Sequence, residues 1–294
     1  MLAMSVVALA ALAVTAMMVS QSTWSRQIEL TDDHAQAQLL IQAGLDWTRA
    51  VLSDDRRASN VDYLGEPWAL RLPPIPVGNG SLAGHITDQQ GKFNLNNLVS
   101  GGKVNLAQLA HFQRLLSILA LPPTLADTLV DWIDSESWPQ PQDAAEDAYY
   151  LSLQPPYLAA HRPLIDVAEL ALVHGFDDNV RARLDPFVTA LPLFTAVNVN
   201  TASPEVISAV VDGLNLDDAR AIVAQRGQTY FRNVTDFMNQ LPKGASVPIA
   251  DISVSSDYFI ATMQVTVGAA QARGSALLAR ENAGWPVIVW RKYQ

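Results

Sequence analysis

Six carboxylates fall within DWIDSESWPQPQDAAEDAYY, the stretch from Asp131 to Tyr150: Asp131, Asp134, Glu136, Asp143, Glu146 and Asp147. No Lys or Arg accompanies them, and none occurs anywhere from Leu115 to His161. Like charges packed within a few ångströms repel, so either water solvates the loop or a hard cation gathers it. Three features point to a cation. Asp131 and Asp134 are three apart at the end of a helical run, TLADTLVDWI, and so share a face. Glu146 and Asp147 return after a proline-stiffened loop. Trp132, Trp138, Tyr149 and Tyr150 supply apolar bulk that packs a loop down. Ca²⁺ takes six to eight oxygen ligands at roughly 2.3–2.6 Å, which such a loop can offer. The EF-hand spacing is absent, so the expected role is structural, a metal pinning a long irregular loop.

Other chemistry is missing. There is no cysteine in the 294 residues, which removes disulfides and thiolate ligands or nucleophiles together. No G-x-S-x-G elbow, P-loop or H-E-x-x-H is present, and the five histidines, His34, His85, His111, His161 and His174, form no i, i+4 pair. GNGSLAG, residues 78–84, misses the dinucleotide spacing and reads as a turn. A formal net charge of −10, with no cluster of Lys and Arg, argues against a phosphate backbone as partner. The expectation is a protein that is not an enzyme and binds no nucleic acid.

The elements that must hold the carboxylates follow from periodicity. MLAMSVVALAALAVTAMMV carries no charge, and the first charge is Arg26. About 20 apolar residues span a bilayer as a helix, so residues 1–24 read as a transmembrane anchor. Ile28, Leu39, Leu40, Ala43, Trp47, Val51 and Leu52 continue at helical spacing without a proline. A helix from Met1 to Leu52 would be on the order of 78 Å long. Trp68–Val77 reads as a strand broken by proline. Ser81–Leu98 reads as a hairpin turning at Asp88–Gly91, and residues 258–267, 271–280 and 285–293 read as an antiparallel meander.

Between these β segments, HFQRLLSILA, TLADTLVDWI, DVAELALV, PEVISAVV, DDARAIVAQR and VTDFMNQL show helical spacing. An internal echo divides the helical region. FNLN (93–96) and VNVN (197–200) each precede a helical run, and RPLIDVAEL (162–170) and FRNVTDFM (231–238) follow later in each copy. The final Asn, or the Thr201 and Ser203 that follow, can cap the next helix.

The apolar N-terminal helix, GKFNLNNL, LVDWIDSES…AEDAYYLSLQPPY, RPLIDVAEL and AVNVNTAS, in this order, resemble the K-type minor pseudopilin of type II secretion systems, the GspK family. The resemblance covers essentially the whole chain. It implies an α+β, pilin-like fold: a long N-terminal helix on an antiparallel sheet, with a large all-helical domain of two SAM-like or helix-hairpin-helix-like units inserted in the sheet. Expected segments are 1–24 transmembrane, 25–102 pilin-like helix and first strands, 103–196 helical unit 1 with the acidic loop, 197–248 helical unit 2, and 249–294 C-terminal strands. Calcium is implied in the inserted domain, with Asp131, Asp134, Glu146 and Asp147 as ligands and Asp143 or Glu136 as additions. Implied partners are the I- and J-type minor pseudopilins, the pseudopilus and its inner-membrane secretion platform, with a prepilin peptidase if a leader lies upstream. No Lys/Arg-Gly junction of the kind that ends such a leader occurs within the first 25 residues, and no acid precedes Glu29, which fits a tip subunit with no neighbour above it. The implied location is the inner membrane, crossed once, with most of the chain in the periplasm.

An alternative of another class is a membrane-anchored helix-hairpin-helix DNA-uptake protein, because residues 197–238 resemble such hairpin modules. The hairpin VDGLNLDDAR (211–220) carries Asp212, Asp217 and Asp218, which would repel a phosphate.

Overall fold

A computed structural model describes residues 2–134, 149–280 and 284–293, with side chains from residue 10 onward. Helix α1, Leu2–Ala58, runs without a break for 57 residues. Every residue from Ala10 to Asp32 is exposed. Beyond that point the helix lies on a sheet, burying Ala37, Ile41, Leu45 and Leu52 against Leu82, Ile86, Phe259, Met263 and Val265. Among the described residues no helix is long and apolar enough to cross a membrane.

The sheet is a five-stranded antiparallel meander: β1 (Leu72–Val77), β2 (Gly80–Asp88), β3 (Tyr258–Val267), β4 (Ala270–Ala279) and β5 (Val287–Tyr293), in that spatial order. Its front face carries the apolar half of each alternation toward α1. A Cβ at Gly274 of β4 would run into Ile41 of α1, so glycine sets how closely helix and strand approach. Pro73, Pro74 and Pro76 place β1 where a strand without N–H donors is tolerated, at an edge.

The expected hairpin at residues 81–98 is not formed. β2 turns at Gly78 and Asn79, pairing with β1 from Leu72↔Gly84 to Val77↔Gly80, and Gly78 takes the φ of +61° that the turn requires. After Asp88 the chain leaves the sheet. Phe93–Asn94 pairs in parallel with Val188–Thr189, and Leu95–Leu98 coils into a 3₁₀ turn. The alternation at 93–96 reflects burial on both faces: Phe93 and Leu95 enter the helical core, and Asn94 and Asn96 are buried as hydrogen-bonding groups. Residues 89–102, read above with the first strands, therefore pack with the insertion.

The insertion between β2 and β3 has its own core, including Phe93, Phe112, Leu129, Trp132, Val206, Ile207 and Phe237. Its helices include α2 (Leu106–Ile118), α3 (Leu125–Ile133), α4 (Asp178–Leu184), α5 (Pro204–Val210), α6 (Leu216–Arg226) and α7 (Val234–Met238) among the described residues. DVAELALV forms a 3₁₀ helix over Val167–Leu172 instead of an α-helix, opened by a capping box of Asp166 and Glu169.

The echo has a matching geometry. Asn96 donates through Nδ2 to Leu164 O at 2.9 Å and accepts from Leu164 N at 2.8 Å. Asn200 does the same with Phe231 O and N, both at 2.9 Å. Each Asn thus fixes the strap that opens the apolar-acid segment of its own copy. A second parallel pair, Val197–Asn198 with Ile252–Ser253, mirrors Phe93–Asn94 with Val188–Thr189.

Candidate functional site

Two acidic constellations stand out, one foreseen and one not. The foreseen one lies at the end of α3. Asp131 sits in the last turn and Asp134 is the C-cap, its N–H bonded to Val130 O at 2.8 Å. A helix C-terminus carries partial negative charge and favours a cation. The strap at His161 closes over this end: its N–H donates to Trp132 O, and its ring N–H to Asp134 O, both at 2.9 Å. Trp132 is buried against Tyr150 and Tyr157, ring centroids 5.2 and 6.2 Å away. Asp131 and Asp134 are half-buried, oxygen-bearing and positioned on a rigid element, which suits a hard cation. Glu146 and Asp147, with Glu136, Asp143 and Trp138, lie outside the described residues. The structure therefore brings two of the four expected ligands to one helix end.

The unforeseen constellation joins sheet and insertion. Arg280, at the end of β4, is 1% exposed. It bonds Asp55 Oδ2 at 2.7 Å from the end of α1, Asp62 Oδ1 from the following loop, and Ser256 O at 2.9 Å ahead of β3. Burial opposes its charge, but Asp62 and Asp55 outweigh that and hold its pKa above the ordinary arginine value. Asp88, buried at the end of β2, accepts from Thr201 Oγ1 (2.5 Å), Ser256 Oγ (2.7 Å), the Gln90 N–H (2.8 Å) and Asn198 Nδ2 (3.1 Å). Burial pushes its pKa to about 6 against these donors. Asn198 also donates to Asp62 O at 3.1 Å. The VNVN segment is thereby tied to both ends of the inserted module and to the loop that follows α1.

Among the described residues, Asp55, Asp62 and Glu66 are the group of three whose carboxylate oxygens converge, all within 4.8 Å. The Arg280 guanidinium bonds two of them and brings the positive charge that a metal would otherwise supply, so this cluster is an internal ion pair network. No composition or spacing signal exposes it. Its members come from remote parts of the chain, Arg280 and Asp62 being 218 positions apart.

The hairpin between α5 and α6 carries its acids in place. Asp212 pairs with Arg114, and Asp217 pairs with Arg220 while 89% exposed. Asp218 accepts from Asn215 Nδ2 at 2.8 Å. A phosphate approaching this turn would meet carboxylates, not free backbone donors.

A continuous helix crossing an antiparallel sheet, its first half free of the globular part, with a helical module inserted between two neighbouring strands, defines a pilin-like filament subunit. Two family profiles described as "Type II secretion system (T2SS), protein K" match residues 91–193 and 197–255. Type II secretion system protein K of Pseudomonas aeruginosa is 38% identical over 71% of this chain and 64% of its own length. That of Aeromonas hydrophila is 32% identical over 79% and 77%, and that of Klebsiella pneumoniae 32% over 90% and 86%. The chain belongs to the type II secretion system protein K family. A chain of the crystal structure of the GspK–GspI–GspJ complex from enterotoxigenic Escherichia coli superimposes with a TM-score of 0.79 at 25% identity, over 91% of this chain and 99% of that one.

Proposed function

We propose that this protein is a minor pseudopilin that forms the tip of the periplasmic pseudopilus with I- and J-type minor pseudopilins and supports export across the outer membrane. The observation that carries this reading is the likeness over 99% of a chain from a complex containing those three subunits. The outward stripe of α1 suits helix-to-helix packing: Leu39 is 70% and Trp47 52% exposed, with exposed Ala43 between them. The protein acts by assembly and has no catalytic role. The alternative DNA-uptake reading is disfavoured by the acidic α5–α6 turn, and micromolar binding in a low-salt gel shift would revive it.

The first part of α1 anchors the chain in the inner membrane, leaving the rest in the periplasm. Support comes from the absence of charge before Arg26 and from the exposure of Leu12, Val14, Met17, Met18 and Val19 on the part of the helix that precedes its contact with the sheet. Calcium bound by Asp131, Asp134, Glu146 and Asp147 fixes the acidic loop. A fragment beginning at Gln27 should gain stability in millimolar Ca²⁺, by about 3 kcal/mol at a hundredfold excess over Kd. Asp131→Asn with Asp134→Asn should abolish that gain. An unchanged melting temperature with and without chelator would remove the metal and leave the tip reading standing. For the function itself, deletion of the gene should block export of the system's substrates, and the full chain should restore it. Export that persists without the protein would overturn the reading.

A further inference from the structure

The joint between sheet and insertion gathers more acid than its one buried cation pairs. Asp62, Glu66 and Asp88 are buried there, and the Asp55 side chain is only 10% exposed. Arg280 bonds Asp55 and Asp62. Glu66, whose carboxylate converges with those two, makes no ion pair among the described residues, and neither does Asp88. The other charged neighbours, Arg56 and Asp257, pair with each other at 3.6 Å and are partly exposed. A carboxylate out of water with no counter-charge takes up a proton in preference to staying ionised.

Glu66 and Asp88 also stand on the two contacts that run from platform to module. Glu66 Oε2 accepts the Tyr63 N–H, and the Tyr63 ring stacks on Tyr230 of the α6–α7 connection with centroids 4.0 Å apart. Asp88 Oδ2 accepts from Thr201 Oγ1 and Asn198 Nδ2 of the VNVN segment. Each acid can hold a proton without leaving a neighbour unpaired. Both donors to Glu66 reach Oε2, which leaves Oε1 for the proton. The Thr201 hydroxyl, 2.5 Å from Asp88 Oδ2, can turn to Asn198 O at 3.4 Å and accept the Asp88 proton in exchange.

We propose that this joint is a proton-operated latch: with Glu66 and Asp88 protonated it holds the module closed on the platform, and their ionisation loosens both contacts. Four anions around one guanidinium draw water in, and the segments at Asp62–Tyr63 and Val197–Thr201 are the ones that must yield to admit it. Burial raises the Glu66 pKa to about 7, with Asp55 and Asp62 adding to the rise, and burial raises that of Asp88 to about 6, with Asp62 adding. Both folded values lie above the ordinary carboxylate range. The closed joint is therefore fully stabilised below about pH 4 and loses that stabilisation as pH rises through about 6 to 7. The latch is a property of this chain alone and does not depend on pseudopilus membership.

The test is hydrogen exchange, read by mass spectrometry on the full chain in detergent at about pH 5.5 and about pH 8, with each rate divided by the intrinsic rate at that pH. Protection at Asp62–Tyr63 and at Val197–Thr201 should fall at least roughly tenfold at the higher pH, while Ala261 and Met263 in β3 change by less than about threefold. Combining Glu66→Gln with Asp88→Asn should keep both segments protected at the higher pH. If the Asp88→Asn chain does not fold, Glu66→Gln alone should keep Asp62–Tyr63 protected and leave the loss at Val197–Thr201 in place. Protection that is the same at both pH values, or a pH response at Asp62–Tyr63 that survives Glu66→Gln, would overturn the proposal.

Discussion

Glu66 holds two donors on one oxygen: Trp68 Nε1 at 2.8 Å and the Tyr63 N–H at 3.0 Å both reach Oε2. Burial raises its pKa from 4.5 to about 7 despite these bonds. The folded state therefore binds the Glu66 proton more tightly than the unfolded chain does. Stability falls as pH rises from about 4.5 to about 7 and stays reduced above that. Glu66→Gln keeps an acceptor for both donors and removes the charge. It should stabilise the protein at pH 8 by on the order of 1–3 kcal/mol and flatten this part of the pH profile, measured by denaturant unfolding. The paired asparagines give a second residue-scale prediction. Asn96→Ala and Asn200→Ala each orphan buried main-chain groups, at Leu164 and Phe231, and should each cost about 2–4 kcal/mol. Exposed Asn239→Ala should cost under about 0.5 kcal/mol.

At the scale of elements, Gly274 decides how α1 lies on the sheet. Gly274→Ala should push Ile41 out of contact and cost roughly 1–3 kcal/mol, read as a lowered melting temperature. The elements carrying the strongest periodicity were legible beforehand: α1, the three C-terminal strands, and the runs that became α2, α3, α5 and α6. Local pattern misled where burial, not strand pairing, set the alternation, as at Phe93–Asn96. Helix α4 escaped notice because its seven residues bury only Val180 and Leu184 among charged neighbours, although Asp177 gives it an N-cap through Val180 N. That Asp131 and Asp134 share one helix end is legible from their spacing at the close of an apolar-periodic run. The Asp55–Asp62–Arg280 and Asp88–Asn198–Ser256 contacts are not, since only the closed fold brings those segments together.

For the molecule as a whole, the Asp88 joint couples a pilin-like platform to a helical module that carries most of the mass. Asp88→Ala leaves Thr201, Ser256, Asn198 and the Gln90 N–H without their shared acceptor. It should cost about 3 kcal/mol or more and raise hydrogen exchange at Val197–Thr201 ahead of the sheet. In the proposed tip role a rigid joint would hold the module in position relative to α1. The most direct test of that role is to mix the purified chain with the I- and J-type pseudopilins of the same secretion system and weigh the products by light scattering on a sizing column. The account predicts one species containing all three chains, lost when Leu39 and Trp47 are both replaced by Asp. Elution of this chain alone under every condition, while the other two associate with each other, would contradict it.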